Sequence, residues 1–329
     1  MLILGDEGHY HGRFPWVTAS LVVTNIFVFM AQVGLGEPFT NGFSCVPEEM
    51  ISCQDLVGTK YHKVKMDVGG RFDRKGNYQP KIETKSFPIK HYHGPVPIHL
   101  TMFTSMFMHG DIFHLIGNMW FLLIFGRNVE CAMSHGRFLA FYVACGLAAN
   151  VAHVLSDMHS IIPCLGASGA ISGTMGAYIS IHPLNKIKIW MGWWLGVIEV
   201  PAIVVIGIWF VLQYTSAFVG LEDDMYSDNV AYFAHLGGFC AGFAILRGMV
   251  FYIRRQQATG EITEDEPLAP VEQDAVSPPL PAVQANIPDP LSDTGVKAGA
   301  PDPFATFLSV QTLRKMQEKK REEQEATSN

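Results

Sequence analysis

The chain has 329 residues, of which 49% are hydrophobic and 16% are charged. Soluble domains usually carry about 25% charged residues, so this composition indicates a protein that lies largely in lipid. The formal net charge of −7 argues against a nucleic-acid-binding protein, because phosphate recognition needs a basic surface. We therefore expect an integral membrane protein with no nucleic-acid partner.

Six apolar stretches are candidates for membrane-spanning helices, each of which needs about 20 mostly apolar residues. In chain order they are Trp16–Leu35, Ile112–Val129, Phe138–Leu155, Ser168–Ile181, Pro201–Val219 and Val230–Ile253. We predict an all-α membrane protein in which residues 16–253 form a six-transmembrane-helix bundle in the lipid bilayer. Residues 1–15 are a short polar N-terminus, and residues 36–97 are a long loop between spans 1 and 2.

The orientation in the membrane is predicted from Lys and Arg in the short loops, which favour the cytoplasmic side. Basic residues follow spans 2, 4 and 6, at Arg127, Arg137, Lys186, Lys188, Arg247, Arg254 and Arg255. The connections after spans 3 and 5 (Ser156–Ala167 and Gly220–Asn229) contain none. Both termini are therefore expected in the cytoplasm. The loop 36–97 is itself basic, but long loops cross a membrane largely regardless of charge.

Residues 254–329 are predicted to form a cytoplasmic tail. Gln256–Pro303 is rich in Pro, Ala and acidic residues, which is typical of disorder, and Phe304–Glu325 is a candidate terminal helix. In the loop 36–97, which we call the outer loop, Cys45 and Cys53 are candidates for a disulfide in an oxidising compartment, and their pairing stays open. The cysteine spacings do not resemble a metal site, so no metal ligand is predicted.

Polar side chains inside apolar spans are costly and indicate function. Span 2 carries His114 and Asn118, span 4 begins with Ser168, and span 6 carries His235. His114, Ser168 and His235 each lie 12 to 14 residues before the polar residue that marks the cytoplasmic end of the span, namely Arg127, His182 and Arg247. At about 1.5 Å per residue, the three groups share one level about 18–21 Å above those ends.

This constellation predicts acyl-transfer chemistry. A serine hydroxyl needs a base within hydrogen-bond reach, so Ser168 and His235 are the candidate nucleophile and base. The pairs Gly169/Gly173 and Gly238/Gly242 have the four-residue spacing that lets two spans approach closely. No carboxylate is an obvious third partner, so we predict a dyad.

An oxyanion site is predicted from the same spans. His114 and Asn118 are four residues apart and share one face of span 2, where both can donate hydrogen bonds. The backbone N–H of Ser168 lies at the N-terminus of a helix and has no partner within that helix. These three donors are the candidate oxyanion hole.

The sequence resembles the rhomboid proteases in three strings, which occur in the family's order on spans 2, 4 and 6. They are HGDIFHLIGN (His109–Asn118), GASG (Gly166–Gly169) and AHLGGFCAG (Ala234–Gly242). The resemblance covers about residues 14–251 and implies the fold of a six-helix rhomboid bundle.

The resemblance also implies roles for individual residues. Ser168 is the implied nucleophile, framed by Gly166 and Gly169, and His235 is the implied base. His114, Asn118 and the Ser168 amide form the implied oxyanion hole; Gly238 and Gly242 pack span 6 on span 4, and His109 orders the polar cavity. The implied substrates are single-span membrane proteins cut in or near the outer part of the bilayer, without a metal or a cofactor.

Two positions depart from patterns found in some members of the family. Leu100 and Thr101 stand where some members have a Trp-Arg pair in the outer loop. Ser172 stands where some members have an aromatic residue stacked on the catalytic histidine. His235 must therefore be held in another way.

Three functions compete for this sequence, and we favour an intramembrane serine endopeptidase. A catalytically silent rhomboid-like protein that binds membrane helices is the alternative, although such proteins typically lack the serine or the histidine. A channel or transporter would favour inverted repeats or a charged path through the bilayer, and the sequence shows neither. We expect a bacterial inner-membrane protein with its active site toward the periplasm.

Overall fold

A computed structural model of the chain describes residues 2–6, 14–73, 75–194, 196–222 and 231–258. The last helix continues through residues 256–258, which the sequence assigned to the beginning of a disordered segment. The rest of that segment and the predicted terminal helix Phe304–Glu325 lie outside the described residues.

The first part of the chain forms one long helix followed by an ordered outer loop. Its elements are β1 (Leu2–Asp6), α1 (Trp16–Leu35), α2 (Glu37–Gly42), α3 (Pro47–Ser52), β2 (Gly58–Asp67), β3 (Arg71–Phe72), β4 (Tyr78–Gln79), β5 (Ile82–His91), a 3-10 turn (Ile98–Leu100), α4 (Thr101–Thr104) and a second 3-10 turn (Ser105–Phe107).

The second part of the chain is helical except for one short hairpin. Its elements are α5 (Ile112–Phe121), a π-helical turn (Leu122–Gly126), α6 (Arg127–Met133), α7 (His135–Ser156), α8 (Ser168–Ile181), β6 (Lys186–Trp190), β7 (Val197–Pro201), α9 (Ala202–Glu222) and α10 (Tyr232–Ala258).

The six predicted spans correspond to six helical segments of the described chain. Four of these segments are long and apolar enough to cross a membrane, and they are Trp16–Leu35, Ile112–Met133, His135–Ser156 and Tyr232–Gln256. The second combines α5, the π-helical turn and α6. Of the other two, α8 has 14 residues, and α9 has 21 residues with its apolar part over Ala202–Phe218.

Helix α8 lies at the centre of the bundle because its side chains are small. Every residue from Gly169 to Tyr178 is buried. A Cβ atom added to Gly238 of α10 would lie 2.1 Å from the carbonyl oxygen of Gly169, and one added to Gly242 would lie 1.9 Å from that of Gly173. The two helices therefore pack backbone against backbone, which is the close approach that their glycine spacing predicts.

The outer loop is built around a long β-hairpin that was not predicted from the sequence. Strands β2 and β5 pair antiparallel, from Gly58 opposite His91 to Asp67 opposite Ile82. The short strands β3 and β4 pair with each other near the tip of this hairpin. The loop is therefore ordered before it returns to the membrane helices through α4.

The candidate disulfide Cys45–Cys53 does not form in this structure, where both residues are free thiols. Cys45 is buried and forms an isolated antiparallel bridge with Cys164, through backbone hydrogen bonds of 3.0 and 2.7 Å. Burial raises the pKa of Cys164 to about 12, so this thiol is protonated at neutral pH. The bridge ties the outer loop to the segment that leads into α8.

The polar N-terminus contains a strand that the sequence did not predict. Strand β1 pairs antiparallel with β6, which in turn pairs with β7. The Asp6 carboxylate at its end accepts hydrogen bonds from the Tyr178 hydroxyl at 2.6 Å and the Asn128 amide at 3.0 Å. Asp6 thus connects β1 to the C-terminal part of α8 and to the N-terminal end of α6 by hydrogen bonds.

Candidate active site

Ser168 is the first residue of α8, and the tight turn before it requires a glycine at position 166. Gly166 has φ +133°, a conformation that side-chain-bearing residues rarely adopt. A Cβ atom at Gly166 would lie 3.0–3.1 Å from the imidazole of His114. The Gly166 amide donates to the carbonyl oxygen of Ser105 at 2.9 Å. The serine is therefore presented from a turn that fits closely against His114.

Ser168 and His235 meet as the sequence predicted. The Nε2 atom of His235 lies 2.8 Å from the Oγ atom of Ser168, which is hydrogen-bond distance. The two residues are 67 positions apart in the chain, and the glycine contact between α8 and α10 brings them together. Each side chain is partly buried.

The other nitrogen of His235 has a partner that the sequence analysis missed. The Nδ1 atom lies 2.7 Å from the Oε1 atom of Gln213 on α9. Trp209, one turn earlier on α9, places its ring centroid 6.1 Å from that of His235. Gln213 is a polar residue inside an apolar span, the same signal that identified His235, but the sequence did not show which way it faces.

Ser172, which stands where the resemblance implies a stacking aromatic residue in some members, makes a different contact here. The Ser172 hydroxyl donates to the carbonyl oxygen of Ser168 at 2.7 Å, within α8. Ser172 therefore does not support the histidine, which is instead contacted by Trp209 and Gln213.

The two candidate oxyanion donors lie on α5, as predicted. Asp111 caps this helix by accepting from the amides of Phe113 at 2.7 Å and His114 at 2.9 Å. Asn118 as a residue is 8% exposed, and its side-chain amide nitrogen has no hydrogen-bond partner in the part of the chain that the structure describes. A buried donor of this kind is costly unless an acceptor is supplied, and a bound substrate can supply one.

His109 is a buried neighbour of the site. Its ring is 5.3 Å from the ring of His114, edge to face, and neither ring nitrogen has a hydrogen-bond partner among the described residues. Burial lowers the pKa of His109 to about 4, so the ring is neutral at neutral pH. Gln32 of α1 fixes its backbone with two hydrogen bonds of 3.0 Å. His109 thus packs against His114, one of the two candidate oxyanion donors.

A cavity of about 20 Å³ lies beside the serine. Its lining includes Asn150, Cys164, Gly166 and Ser168. A space of this size is sufficient for one water molecule, provided that polar groups surround it. The Asn150 amide is already oriented by hydrogen bonds to the Met102 carbonyl oxygen and the Ser105 hydroxyl.

These features define a helical integral membrane protein with a serine–histidine pair inside its bundle. A family model described as "Rhomboid domain" matches residues 99–251, a range that contains all the predicted site residues. The chain is a member of the rhomboid family and has the rhomboid fold.

Curated relatives agree with this assignment. RHOMBOID-like protein 4 of Arabidopsis thaliana is 30% identical over 74% of this chain and 55% of its own length. RHOMBOID-like protein 1 of the same plant is 25% identical over the same shares of the two chains. Rhomboid protease GluP of Bacillus subtilis is 30% identical over 43% of this chain and 24% of its own length.

The comparisons do not support every expectation. The chain spans about half the length of the first curated relatives it matches, at 45% and 55%. Relatives also include RHOMBOID-like protein 6, mitochondrial, of Arabidopsis thaliana and Rhomboid protein 1, mitochondrial, of Saccharomyces cerevisiae. An integral membrane location is therefore shown, whereas the predicted bacterial inner membrane is not supported.

Proposed function

We propose that this protein is an intramembrane serine endopeptidase in which Ser168 is the nucleophile and His235 is the general base. The observation that carries the proposal is the 2.8 Å contact between His235 Nε2 and Ser168 Oγ inside the helical bundle. A serine hydroxyl is a weak nucleophile unless a base accepts its proton, and this contact supplies that base.

The first half of the reaction forms an acyl-enzyme. The Ser168 oxygen attacks the carbonyl carbon of the scissile peptide bond, and its proton passes to His235 Nε2. The resulting imidazolium then donates that proton to the leaving nitrogen as the C–N bond breaks. The amine product departs, and the acyl group stays on Ser168 as an ester.

The second half uses water in the place of the serine hydroxyl. His235, neutral again, takes a proton from water as the water oxygen attacks the ester carbonyl. The proton returns to Ser168 Oγ when the ester bond breaks, which releases the carboxylate product. The cavity beside Ser168 is a suitable place for this water.

Both tetrahedral intermediates carry a negative oxygen that needs donors fixed in advance. We assign this role to the Asn118 amide, the His114 imidazole and the Ser168 backbone N–H. The buried Asn118 nitrogen supports the assignment, because it has no hydrogen-bond partner among the described residues and an oxyanion would supply one. Donors already in place need no rearrangement at the moment of reaction.

We propose single-span membrane proteins as the substrates, cut near the outer part of the bilayer. The basis is the family resemblance, together with the position of the site within the apolar helices. The proposed orientation has both termini in the cytoplasm.

Labelling with a fluorophosphonate probe tests the proposal, because such probes react with activated serines. We expect the purified wild-type protein to become labelled and Ser168→Ala to remain unlabelled. Ser180→Ala is the matched control, since it removes a hydroxyl from the same helix. The Ser180 hydroxyl is buried and has no hydrogen-bond partner among the described residues.

The outcomes separate the proposed protease from its alternative. Labelling of the wild type and of Ser180→Ala, but not of Ser168→Ala, would support an activated Ser168. A folded wild-type protein that does not label would favour a catalytically silent rhomboid-like protein that binds membrane helices.

A further inference from the structure

The contact between Gln213 and His235 determines which ring nitrogen carries the proton. The Oε1 atom of Gln213 can only accept a hydrogen bond, and it lies 2.7 Å from His235 Nδ1. The contact is therefore a hydrogen bond only when Nδ1 carries the proton. In the neutral ring, the lone pair is then on Nε2, the atom that faces Ser168 Oγ at 2.8 Å.

The surroundings of Gln213 make this hydrogen bond important to the residue itself. Gln213 is half-buried, while its neighbours Leu212 and Tyr214 are 58% and 51% exposed. A primary amide within an apolar span is costly unless its polar atoms are paired. Among the described residues, His235 is the hydrogen-bond partner of the Gln213 side-chain oxygen.

A second contact from α9 limits the movement of the His235 ring. Trp209 and Gln213 are four residues apart, so they lie on the same face of the helix. The Trp209 ring is tilted by 40° to the imidazole, with the centroids 6.1 Å apart. The ring is thus contacted on one side by an aromatic residue and at its edge by an acceptor.

Resting on the proposed protease function, we propose that Gln213 is a positioning residue that holds His235 in the tautomer and orientation able to accept the Ser168 proton. Gln213 acts through His235 and does not itself touch the reacting atoms. A neutral amide takes the place at Nδ1 that a carboxylate occupies in a serine–histidine–aspartate triad. Unlike a carboxylate, it fixes the tautomer without adding a buried charge.

The proposal is tested with Gln213→Met, which removes the acceptor and keeps a side chain of similar length. We expect the rate of fluorophosphonate labelling to fall about 10- to 100-fold, a part of the roughly 100- to 10,000-fold that a positioned base contributes. The acid limb of the pH–rate profile is expected to move down by about half a unit, because the imidazolium loses the acceptor that stabilised it.

Two further variants separate positioning from a general disturbance of α9. Gln213→Glu keeps an acceptor oxygen and is expected to recover most of the labelling rate lost in Gln213→Met. Leu212→Met places the same methionine at the adjacent exposed position and is expected to label like the wild type. A Gln213→Met protein with the wild-type rate and the wild-type acid limb would overturn the proposal.

Nitrogen-15 NMR of the full-length protein tests the same proposal without relying on catalysis. The chain has 13 histidines, so the His235 signals are assigned by their loss in His235→Ala. We expect a proton on Nδ1 in the wild type and a mixture of tautomers in Gln213→Met. If the wild-type protein were not labelled, the proposed protease function would be contradicted. The NMR measurement would still show whether Gln213 sets the tautomer of His235. An unchanged Nδ1 proton in Gln213→Met would contradict that role.

Discussion

The two contacts that α10 makes with its neighbours differ in kind. Against α8 it packs glycine on backbone, so that Gly238 and Gly242 face the carbonyl groups of Gly169 and Gly173. Against α9 the contact is made by side chains, including the Phe210–Phe239 ring pair at 4.7 Å and the contacts to His235. The α8–α10 interface is limited by steric contact between backbones, whereas the α9–α10 interface is made by aromatic rings and a hydrogen bond.

The difference assigns separate tasks to the two interfaces. The α8–α10 contact sets the distance between Ser168 and His235, since neither backbone has room to move closer. The α9–α10 contact sets the rotation of the imidazole, which a backbone contact cannot do. A change at the first interface is therefore expected to affect the fold, and a change at the second to affect the chemistry.

The largest effect is expected when a methyl group is added between α8 and α10. Gly242→Ala would place a Cβ atom 1.9 Å from the Gly173 carbonyl oxygen, so the helices must separate. We expect a loss of about 3 kcal/mol of stability, in the upper range for overpacking, together with loss of labelling. Thermal unfolding in detergent measures the stability.

Two glycines serve as controls for this prediction. At Gly248 on the same helix and at Gly207 on α9, an added Cβ would have no atom of the described residues within 4 Å, outside the neighbouring backbone of its own helix. Alanine at either position is expected to leave the melting temperature unchanged or slightly higher, because alanine favours helix by up to about 1 kcal/mol. A Gly242→Ala protein as stable as Gly248→Ala would show that the backbone contact is not limiting.

A smaller effect, confined to chemistry, is expected at the oxyanion site. Asn118→Ala removes one proposed donor, and loss of such a donor slows turnover by about 100- to 1,000-fold in a well-formed oxyanion hole. We expect kcat to fall about 10- to 1,000-fold without a large change in melting temperature. Cleavage of a single-span membrane substrate measures this rate.

Asn128→Ala is the matched control, because it makes the same change in the same helical segment away from the serine. Asn128 donates to Asp6 and to the Ile124 carbonyl oxygen. We expect this variant to lose stability but to keep kcat. If Asn118→Ala cleaved at the wild-type rate, Asn118 would have no place in the oxyanion hole.

The sequence predicted the contact between Ser168 and His235, but it did not predict the residues that contact His235 from α9. Ser168 and His235 were recognisable because polar groups stand out in apolar spans, and equal depth on two glycine-rich helices implied that they meet. Gln213 was not recognised, because α9 is apolar on all sides and its pattern does not indicate which face meets the bundle. Gln213 faces His235 because of how α9 is rotated about its own axis, and this rotation is set by packing against the other helices.

Long-range pairings were the other part that the sequence did not reveal. Strand β1 has little pattern of its own, and its partner β6 lies about 180 residues later. Cys45 had a nearby candidate in Cys53, yet its neighbour in space is Cys164. Local periodicity predicts elements well, but it does not choose between distant partners.

The smallest effect on the chemistry of Ser168 is expected where the N-terminal strand is hydrogen-bonded to α8. The Tyr178 hydroxyl donates to the Asp6 carboxylate at 2.6 Å. Tyr178→Phe removes one hydrogen bond to a charged group and keeps the ring, so we expect a loss of about 1.5–3 kcal/mol in stability. The labelling rate of Ser168 is expected to stay at the wild-type value, because the contact lies at the other end of α8.

Asp6→Asn sharpens this last prediction. The asparagine keeps an oxygen for the Tyr178 hydroxyl but loses the charge that also acts on Arg127, so its loss of stability is expected to be at least as large as that of Tyr178→Phe. Hydrogen exchange of the β1 amides gives a local measurement, since both variants are expected to expose these amides while those of α8 stay protected. Equal loss of protection in β1 and at the start of α8 would mean that the strand also supports the site, and that the two ends of the helix are not independent.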